Sequence, residues 1–250
     1  MELQDRTLYS WFGTRHLDSV SPIGTLFHRA LAAKQLEYNS FGVVIPENQG
    51  KAVASVKSFP ALIYNQKVIR DFRTLMLDLA SENPTVDLMP SEEGRRLEAF
   101  MLADWAQNAM GNNLHYFRFC VEKNYERLLM KLDNRLKHKE HLFAINDMKK
   151  RMIQMVTLQP VGKLDQKEAL LYLRSQLDYL KVRLDGQPFF FDSKLTIADL
   201  SIFAILQGFL DPGIAESEMI QSDYRYLCRW AKSIHELTQN KFTCEWTIEL

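Results

Sequence analysis

Leu195-Thr196-Ile197-Ala198-Asp199-Leu200-Ser201-Ile202-Phe203-Ala204-Ile205-Leu206 is the stretch on which the reading of the whole chain turns. Thr196 and Asp199 have the spacing of a capping box. In such a box the hydroxyl accepts from the backbone N–H of the third helical residue, and the carboxylate reaches back to the N–H of the cap residue. Leu195 just outside and Leu200 just inside can close as a hydrophobic staple. Past the cap, Leu200, Ile202, Phe203, Ala204, Ile205, Leu206, Phe209 and Leu210 leave almost no polar face. A helix that is apolar all round is buried on every side, so the rest of its domain must wrap around it.

The totals are those of an ordinary globular chain: 250 residues, 46% hydrophobic and 25% charged. Lys+Arg and Asp+Glu are 31 each, so no global charge draws the chain to nucleic acid or an acidic membrane. No apolar run reaches the ~18 residues of a membrane span, and the N-terminus lacks a signal-peptide pattern. Cys120, Cys228 and Cys244 are odd in number and far apart, which argues against a disulfide scaffold or a paired-cysteine zinc site. A reducing, cytoplasmic compartment is expected. His138 and His141 are one turn apart, but no carboxylate or cysteine completes a ligand set, and no metal is expected.

Upstream of the capped helix the pattern is first mixed, then helical. Thr7 to Phe12 reads as a strand, and Ser21-Pro22 opens a helix whose face is Ile23, Leu26, Phe27, Ala30 and Leu31. Tyr38 to Ile45 reads as a second strand and Asn48 to Ser58 as a loop or irregular helix. Phe59-Pro60-Ala61-Leu62-Ile63-Tyr64 reads as a strand with proline at its start, at an edge or in a cis turn. An Asn65-Gln66 turn leads to a short fourth strand, Lys67 to Arg70, and Asp71 to Ala80 to a helix. This β-α-β, β-β-α order assigns residues 1–82 to a small α/β domain. Residues 83–90 are the linker, and 91–250 form an all-helical domain. Within it we expect one long helix from Ser91 to Phe119 and a second from Val121 to Met155, broken near His138 to Asn146. A third is capped by Asp165 and Glu168 and ended by Asp185-Gly186, and the last runs from Ser222 to Thr238.

Taken together, these residues resemble the glutathione transferase superfamily over roughly residues 7–237. Leu8-Tyr9-Ser10, then Ser21-Pro22 with Arg29-Ala30-Leu31, Lys34, Leu36 and Tyr38, looks like that family's first strand and helix. Phe59-Pro60-Ala61-Leu62 with Val68-Ile69 and Asp71 looks like its cis-proline strand pair and following helix. Phe189-Phe190-Phe191 before Thr196-Ile197-Ala198-Asp199 matches the approach to its buried helix, and is the most specific of the three. The resemblance implies a thioredoxin-like first domain that binds glutathione, a helical second domain that supplies most of the second-substrate pocket, and a two-fold homodimer.

Carried over residue by residue, Phe59 pairs its backbone with the glutathione cysteinyl backbone beside cis Pro60, and Asp71 holds the γ-glutamyl ammonium group. The family's next residue is normally Ser, whose hydroxyl and N–H take the γ-glutamyl carboxylate. Here it is Phe72, which keeps only the backbone N–H at a helix N-terminus. A hydrogen bond lost from a charged group is worth about 1.5–3 kcal/mol, roughly ten- to a hundredfold in affinity. The thiolate is the nucleophile, so the chemistry needs a donor beside the sulfur. Ser21 at the first helix start is one candidate and Tyr9 on the first strand the other, with Ser10 and Ser19 behind them. No cysteine lies near that helix start, which disfavours thiol-transfer chemistry. Arg15 and His16, in a loop longer than the family's, reach either the ligand or solvent. Trp105, Tyr116 and Phe117 are the candidates for lining the second-substrate pocket.

Two functions follow. One is a transferase that conjugates the glutathione thiolate to small electrophiles. The other is a non-catalytic scaffold of the same fold, with a weakened glutathione site, that binds a protein or an apolar ligand. Thr196 and Asp199 belong to the folding machinery in both.

Overall fold

The computed structural model describes residues 6–43, 58–65, 67–132, 139–191, 193–211 and 213–244. The first unit contains β1 (Thr7–Trp11), α1 (Pro22–Ala33), β2 (Asn39–Val43), β3 (Ala61–Tyr64), β4 (Lys67–Ile69) and α2 (Phe72–Leu79). The strands form one mixed sheet in the order β2-β1-β3-β4, with β1 parallel to β2 and antiparallel to β3. Strand alternation sorts the two faces. Leu8 and Ser10 are buried toward α1, whereas Tyr9 and Trp11 are only half-buried. Leu8, Leu62 and Ile69 join Leu26 and Phe27 of α1 and Leu75 of α2 in the main core. This is a thioredoxin-like unit.

The second unit is helical. α3 (Glu93–Trp105) passes through a π-helical turn, Ala106–Met110, into α4 (Gly111–His115) and then a second π-turn, Tyr116–Cys120. The helix ends where Val121 becomes extended. α5 (Glu122–Leu132), α6 (Lys139–Thr157), a 3₁₀ turn at Pro160–Lys163 and α7 (Gln166–Leu184) follow. The chain then enters α8 (Ile197–Leu210), α9 (Ser217–Asp223) and α10 (Arg225–Leu237). All 14 residues of α8 are buried, and it packs against α1, α3 and α10. The apolar run beginning at Leu195 is thus the axis of the molecule, shared by both units.

The elements differ from the sequence expectation in three places. The single helix expected from Ser91 to Phe119 carries two π-turns, the second of them where Tyr116, Phe117, Arg118 and Phe119 are all buried. The final helix expected from Ser222 is two helices meeting at Tyr224, whose hydroxyl donates to Asp178 Oδ1 at 3.0 Å and pins the bend. Third, the loop before α1 has a buried second half. Leu17, Asp18, Ser19 and Val20 are all nearly inaccessible, so the second half of a stretch that reads simply as a loop is part of the core. The ends of the expected second strand (44 and 45), most of the loop expected from Asn48 to Ser58, Gln66 and the region around His138 lie outside the described residues.

The 83–90 segment is tightly bound to both units. The buried Lys34 ammonium donates to the carbonyls of Asn83 (3.1 Å) and Val86 (2.6 Å), and Asn83 Nδ2 returns a bond to the Lys34 carbonyl. Leu88 accepts from the Ile197 N–H at the start of α8 (2.9 Å).

Candidate functional site

The sheet register gathers most of the proposed site at one end. Tyr9 pairs with Ala61, which sets Phe59 opposite Trp11, the last residue of β1. Their rings meet edge-on at 5.5 Å. The Phe59–Pro60 peptide bond is cis. Because β4 runs back along β3 with Ile69 opposite Leu62, α2 begins at this same end. α1 begins there too. Val20 N–H donates to the Phe12 carbonyl (2.9 Å), and Ser19 Oγ donates to the Trp11 carbonyl (2.8 Å). Two helix N-termini and a cis X-Pro strand end therefore face the same region, an arrangement suited to an extended, anionic peptide-like ligand.

Ser21 occupies the N-cap position of α1 with extended backbone, and Pro22 follows at the first helical position. Its hydroxyl makes no capping hydrogen bond, although a cap is the usual employment of serine there. Its backbone N–H is held by Ser19 Oγ at 3.2 Å, and Gly24 leaves room for that contact. A Cβ at Gly24 would lie 2.6 Å from Ser19 Oγ. Ser21 is thus fixed in place with its side-chain donor uncommitted to the helix.

The rivals are placed differently. Tyr9 stacks on Phe41 (5.4 Å, 18°) on the face of the sheet away from α1. Ser10 is buried toward α1, where its Oγ lies 3.2 Å from His28 Nε2, and His28 Nδ1 lies 2.8 Å from the Tyr38 hydroxyl. Burial holds His28 near 4, so this imidazole is neutral at physiological pH, and Tyr38 is pushed above the ordinary phenol range. The chain of groups is enclosed and offers no surface to a substrate. Ser19 is also buried and spends its hydroxyl on Trp11. Arg15 is exposed.

Asp71 caps α2, accepting from the Thr74 N–H at 2.9 Å. One carboxylate oxygen is thereby used, and the residue remains exposed. Phe72 turns its ring into the core (9% exposed), leaving its backbone N–H in the first turn of α2. Beside it Arg73 is exposed, with its guanidinium 5.5 Å from the Phe100 ring centroid.

Sequence reasoning missed the buried cations that hold this end together. Arg29, fully buried, grips Asp18 with two bonds of 2.6 and 3.0 Å and donates to the carbonyls of His235 and Thr238, both at 3.2 Å. The Cys244 N–H donates to Asp18 Oδ1 (2.8 Å). Burial pushes the Asp18 carboxyl up, but the charge and hydrogen bonds of Arg29 more than reverse this and hold it below the usual range. Arg118, equally buried, donates to the Val20 carbonyl at 2.6 Å and to the Gly208 carbonyl at 3.2 Å. Arg29 is visible in the sequence only as part of the α1 resemblance, and no local signal marks what either arginine holds, since the carbonyls of His235, Thr238, Val20 and Gly208 are remote in sequence.

The helical unit packs apolar side chains against this end. Phe12, Leu17 and Val20 pack with Phe119, Tyr125, Leu128 and Ile145 in a second small core, flanked by Trp11, Met148 and Met152. Helices α5 and α6 thereby lean on the loop that carries Ser21. Of the residues expected to line a second-substrate pocket, Phe117 is fully buried against Phe209 and Tyr116 is buried with its hydroxyl on the Leu164 carbonyl. Both are core, because the π-turn directs them inward. Trp105 lines a cavity of about 410 Å³ with Glu98, Met101, Leu102, Tyr179, Arg183 and Phe191. That cavity lies between α3 and α7 and includes no residue of the sheet.

Thr196 and Asp199 sit at the start of α8 as a buried capping box. Asp199 Oδ2 accepts from the Thr196 N–H (2.8 Å) and hydroxyl (2.6 Å), and Oδ1 accepts from the Phe190 N–H (2.9 Å). Burial raises this carboxyl to about 6 against the pull of those donors. Among the described residues, no group of three His, Cys, Asp or Glu side chains could hold a metal ion, and no helix is long and apolar enough to cross a membrane. The His138–His141 pair falls outside the described side chains.

Residues 143–237 match the family "Glutathione S-transferase, C-terminal domain". No curated protein sequence matches the chain. Among solved structures, the beta-etherase LigF from Sphingobium sp. strain SYK-6 superposes with a TM-score of 0.62 at 20% identity, covering 92% of this chain and 94% of that one. FzlA from C. crescentus gives 0.60 at 17% identity, covering 92% and 87%. A glutathione transferase family member from Pseudomonas fluorescens pf-5, solved with two glutathione bound, gives 0.59 at 15% identity, covering 94% and 90%. At these identities the structures share a fold. The chain thus has the fold of the glutathione S-transferases, and its helical half carries a match to their C-terminal domain.

Proposed function

We propose that this protein is a glutathione transferase that joins the thiolate of glutathione to small, largely apolar electrophiles, with Ser21 as the thiolate-stabilising donor. The observation that carries the reading is the Ser21 hydroxyl, which sits at the N-terminus of α1 without serving as its cap. A donor and a positive helix end beside a thiol both favour the ionised sulfur. The sulfur lone pair then forms the new C–S bond while the leaving group departs with its electron pair. The glutathione cysteinyl backbone pairs with Phe59 next to cis Pro60. The free oxygen of Asp71 receives the ammonium group, and the Phe72 N–H the γ-glutamyl carboxylate. Tyr9, stacked on Phe41 across the sheet from α1, is the alternative donor. The partly buried Met148 and Met152 of α6, packed like Trp11 against the second small core, suit a hydrophobic acceptor. A cytoplasmic homodimer with a detoxifying role completes the reading by analogy with the family.

A second reading, a scaffold without catalysis, is favoured by one feature: at position 72 a buried phenyl ring replaces the hydroxyl that would hold the γ-glutamyl carboxylate. Calorimetric titration with glutathione, followed by chlorodinitrobenzene conjugation by wild type, Ser21→Ala and Tyr9→Phe, separates the two. The transferase reading expects binding at millimolar glutathione or tighter and loss of turnover in Ser21→Ala. No heat at millimolar glutathione leaves the scaffold. Activity that survives Ser21→Ala and disappears in Tyr9→Phe moves the role to Tyr9.

A further inference from the structure

The Ser21 segment is built from the sheet unit, yet one of its ties comes from the other unit. Val20, the residue immediately before Ser21, presents its carbonyl to Arg118 Nη1 at 2.6 Å. Arg118 is 2% exposed, and the second arm of its guanidinium reaches the Gly208 carbonyl in the last turn of α8. A cation is well placed at that helix C-terminus, where the carbonyls lack intrahelical partners. Two independent features look built around this contact. Arg118 lies inside the π-turn Tyr116–Cys120, and π-turns re-aim side chains at the expense of regular helix geometry. Position 208 is glycine, and a Cβ there would stand 3.0 Å from Arg118 Nη2 and 2.5 Å from Leu114 Cδ2.

We propose that Arg118 is a positioning residue for Ser21: from the helical unit it clamps the Val20 carbonyl and so sets where the Ser21 hydroxyl meets the sulfur. The proposal rests on the reading of Ser21 given above. The Val20–Ser21 peptide is held from both sides, its carbonyl by Arg118 and its N–H by Ser19 Oγ. With the carbonyl side released, the peptide plane keeps only its N–H anchor on Ser19, and Ser21 shifts with it. Catalytic geometry is sensitive to such shifts; a displacement of about 1 Å can cost roughly a hundredfold in rate.

The test compares Arg118→Met, Arg118→Lys and Gly208→Ala with Ser21→Ala. It reads kcat, KM for glutathione, and the ultraviolet titration of the enzyme-bound thiol. We expect Arg118→Met and Gly208→Ala to lower kcat by about ten- to a hundredfold while KM moves by less than about threefold. The thiol titration should shift upward in the direction Ser21→Ala shifts it. Arg118→Lys, which keeps one charged donor, should recover part of the loss. The Ser21→Ala/Arg118→Met double variant should be no slower than Ser21→Ala alone. Gly208→Ala and Arg118→Lys carry the test should Arg118→Met not fold. If Ser21→Ala leaves the thiol titration unchanged, the Ser21 reading itself fails. If Ser21→Ala shifts it while folded Arg118 and Gly208 variants do not, or if the double-variant losses add in full, the positioning role is overturned and Ser21 stands.

Discussion

Replacing Asp199 by alanine tests how α8 is anchored, and its size can be worked from the geometry. The carboxylate receives three donors at 2.6, 2.8 and 2.9 Å in a site with no solvent access. Leaving buried donors unpaired costs about 1–3 kcal/mol each, and partial relaxation brings the expected total to about 3–5 kcal/mol at pH 5. An exposed cap would lose only about 0.5–2 kcal/mol.

The cost also depends on pH, with a definite sign. Burial lifts the folded-state value of Asp199 to about 6 from an ordinary 3.8. The folded protein therefore holds the proton more tightly than the unfolded chain, and this group's contribution to stability falls as pH rises through that window. Between pH 5 and 7.5 the linkage relation gives a fall of about 1.5 kcal/mol, so the gap between wild type and Asp199→Ala should narrow by that amount. Asp199→Asn keeps an acceptor for Thr196 and loses only the Phe190 donor, so it should cost less than the alanine. Urea unfolding followed by circular dichroism at the two pH values measures each quantity. A loss under about 1 kcal/mol at pH 5, or a gap that widens toward pH 7.5, would refute the reasoning.

Three further outcomes are expected. Ser21→Ala should change the unfolding free energy by less than about 0.5 kcal/mol, because the hydroxyl makes no capping bond; a loss of 1 kcal/mol or more would return Ser21 to ordinary capping duty. Phe72→Ser should tighten glutathione binding by about tenfold in calorimetry while lowering stability by about 2–4 kcal/mol, since a donor is gained and a core ring is lost. His28, held near 4 by burial, opposes protonation in the folded state, so stability should fall as pH drops from about 6.5 toward 4, by up to roughly 3 kcal/mol. In His28→Gln that portion of the acid sensitivity should be absent from unfolding curves.

What could be read without coordinates were the features whose cause is local. Ser21-Pro22, Asp165 with Glu168 and Thr196 with Asp199 announce helix starts by chemistry contained within four residues. Asp185-Gly186 announces an end by composition, since glycine readily takes the left-handed backbone that both residues adopt there, with φ of 38° and 77°. The alternation in β1 and the apolar run of α8 are likewise periodic signals. The features that escaped have distant causes. Arg118 looks like a cation on a helix until Val20 and Gly208 are brought to it, and the π-turn that aims it has no composition of its own. Asp18 looks like a loop carboxylate until α1 and the C-terminal residues close over it. The same applies to the candidate site. Ser21 and the Phe59–Pro60 pair could be named from the sequence, but the employment of the Ser21 hydroxyl depends on a rotamer that no sequence pattern reports.

The Arg29 cluster bears on how the molecule comes into being. Its carbonyl partners at His235 and Thr238 lie 206 and 209 residues downstream. At about 5–20 residues per second, a ribosome needs roughly 10–40 s to deliver them after α1 has emerged. Throughout that interval the first unit carries a cation whose enclosure has not yet been synthesised, and the last turn of α10 is what finally seals it. A nascent chain stopped before residue 235 should therefore remain open to protease near Asp18 and Arg29, while one extended past residue 244 should resist. The thioredoxin-like unit is encoded first and finished last.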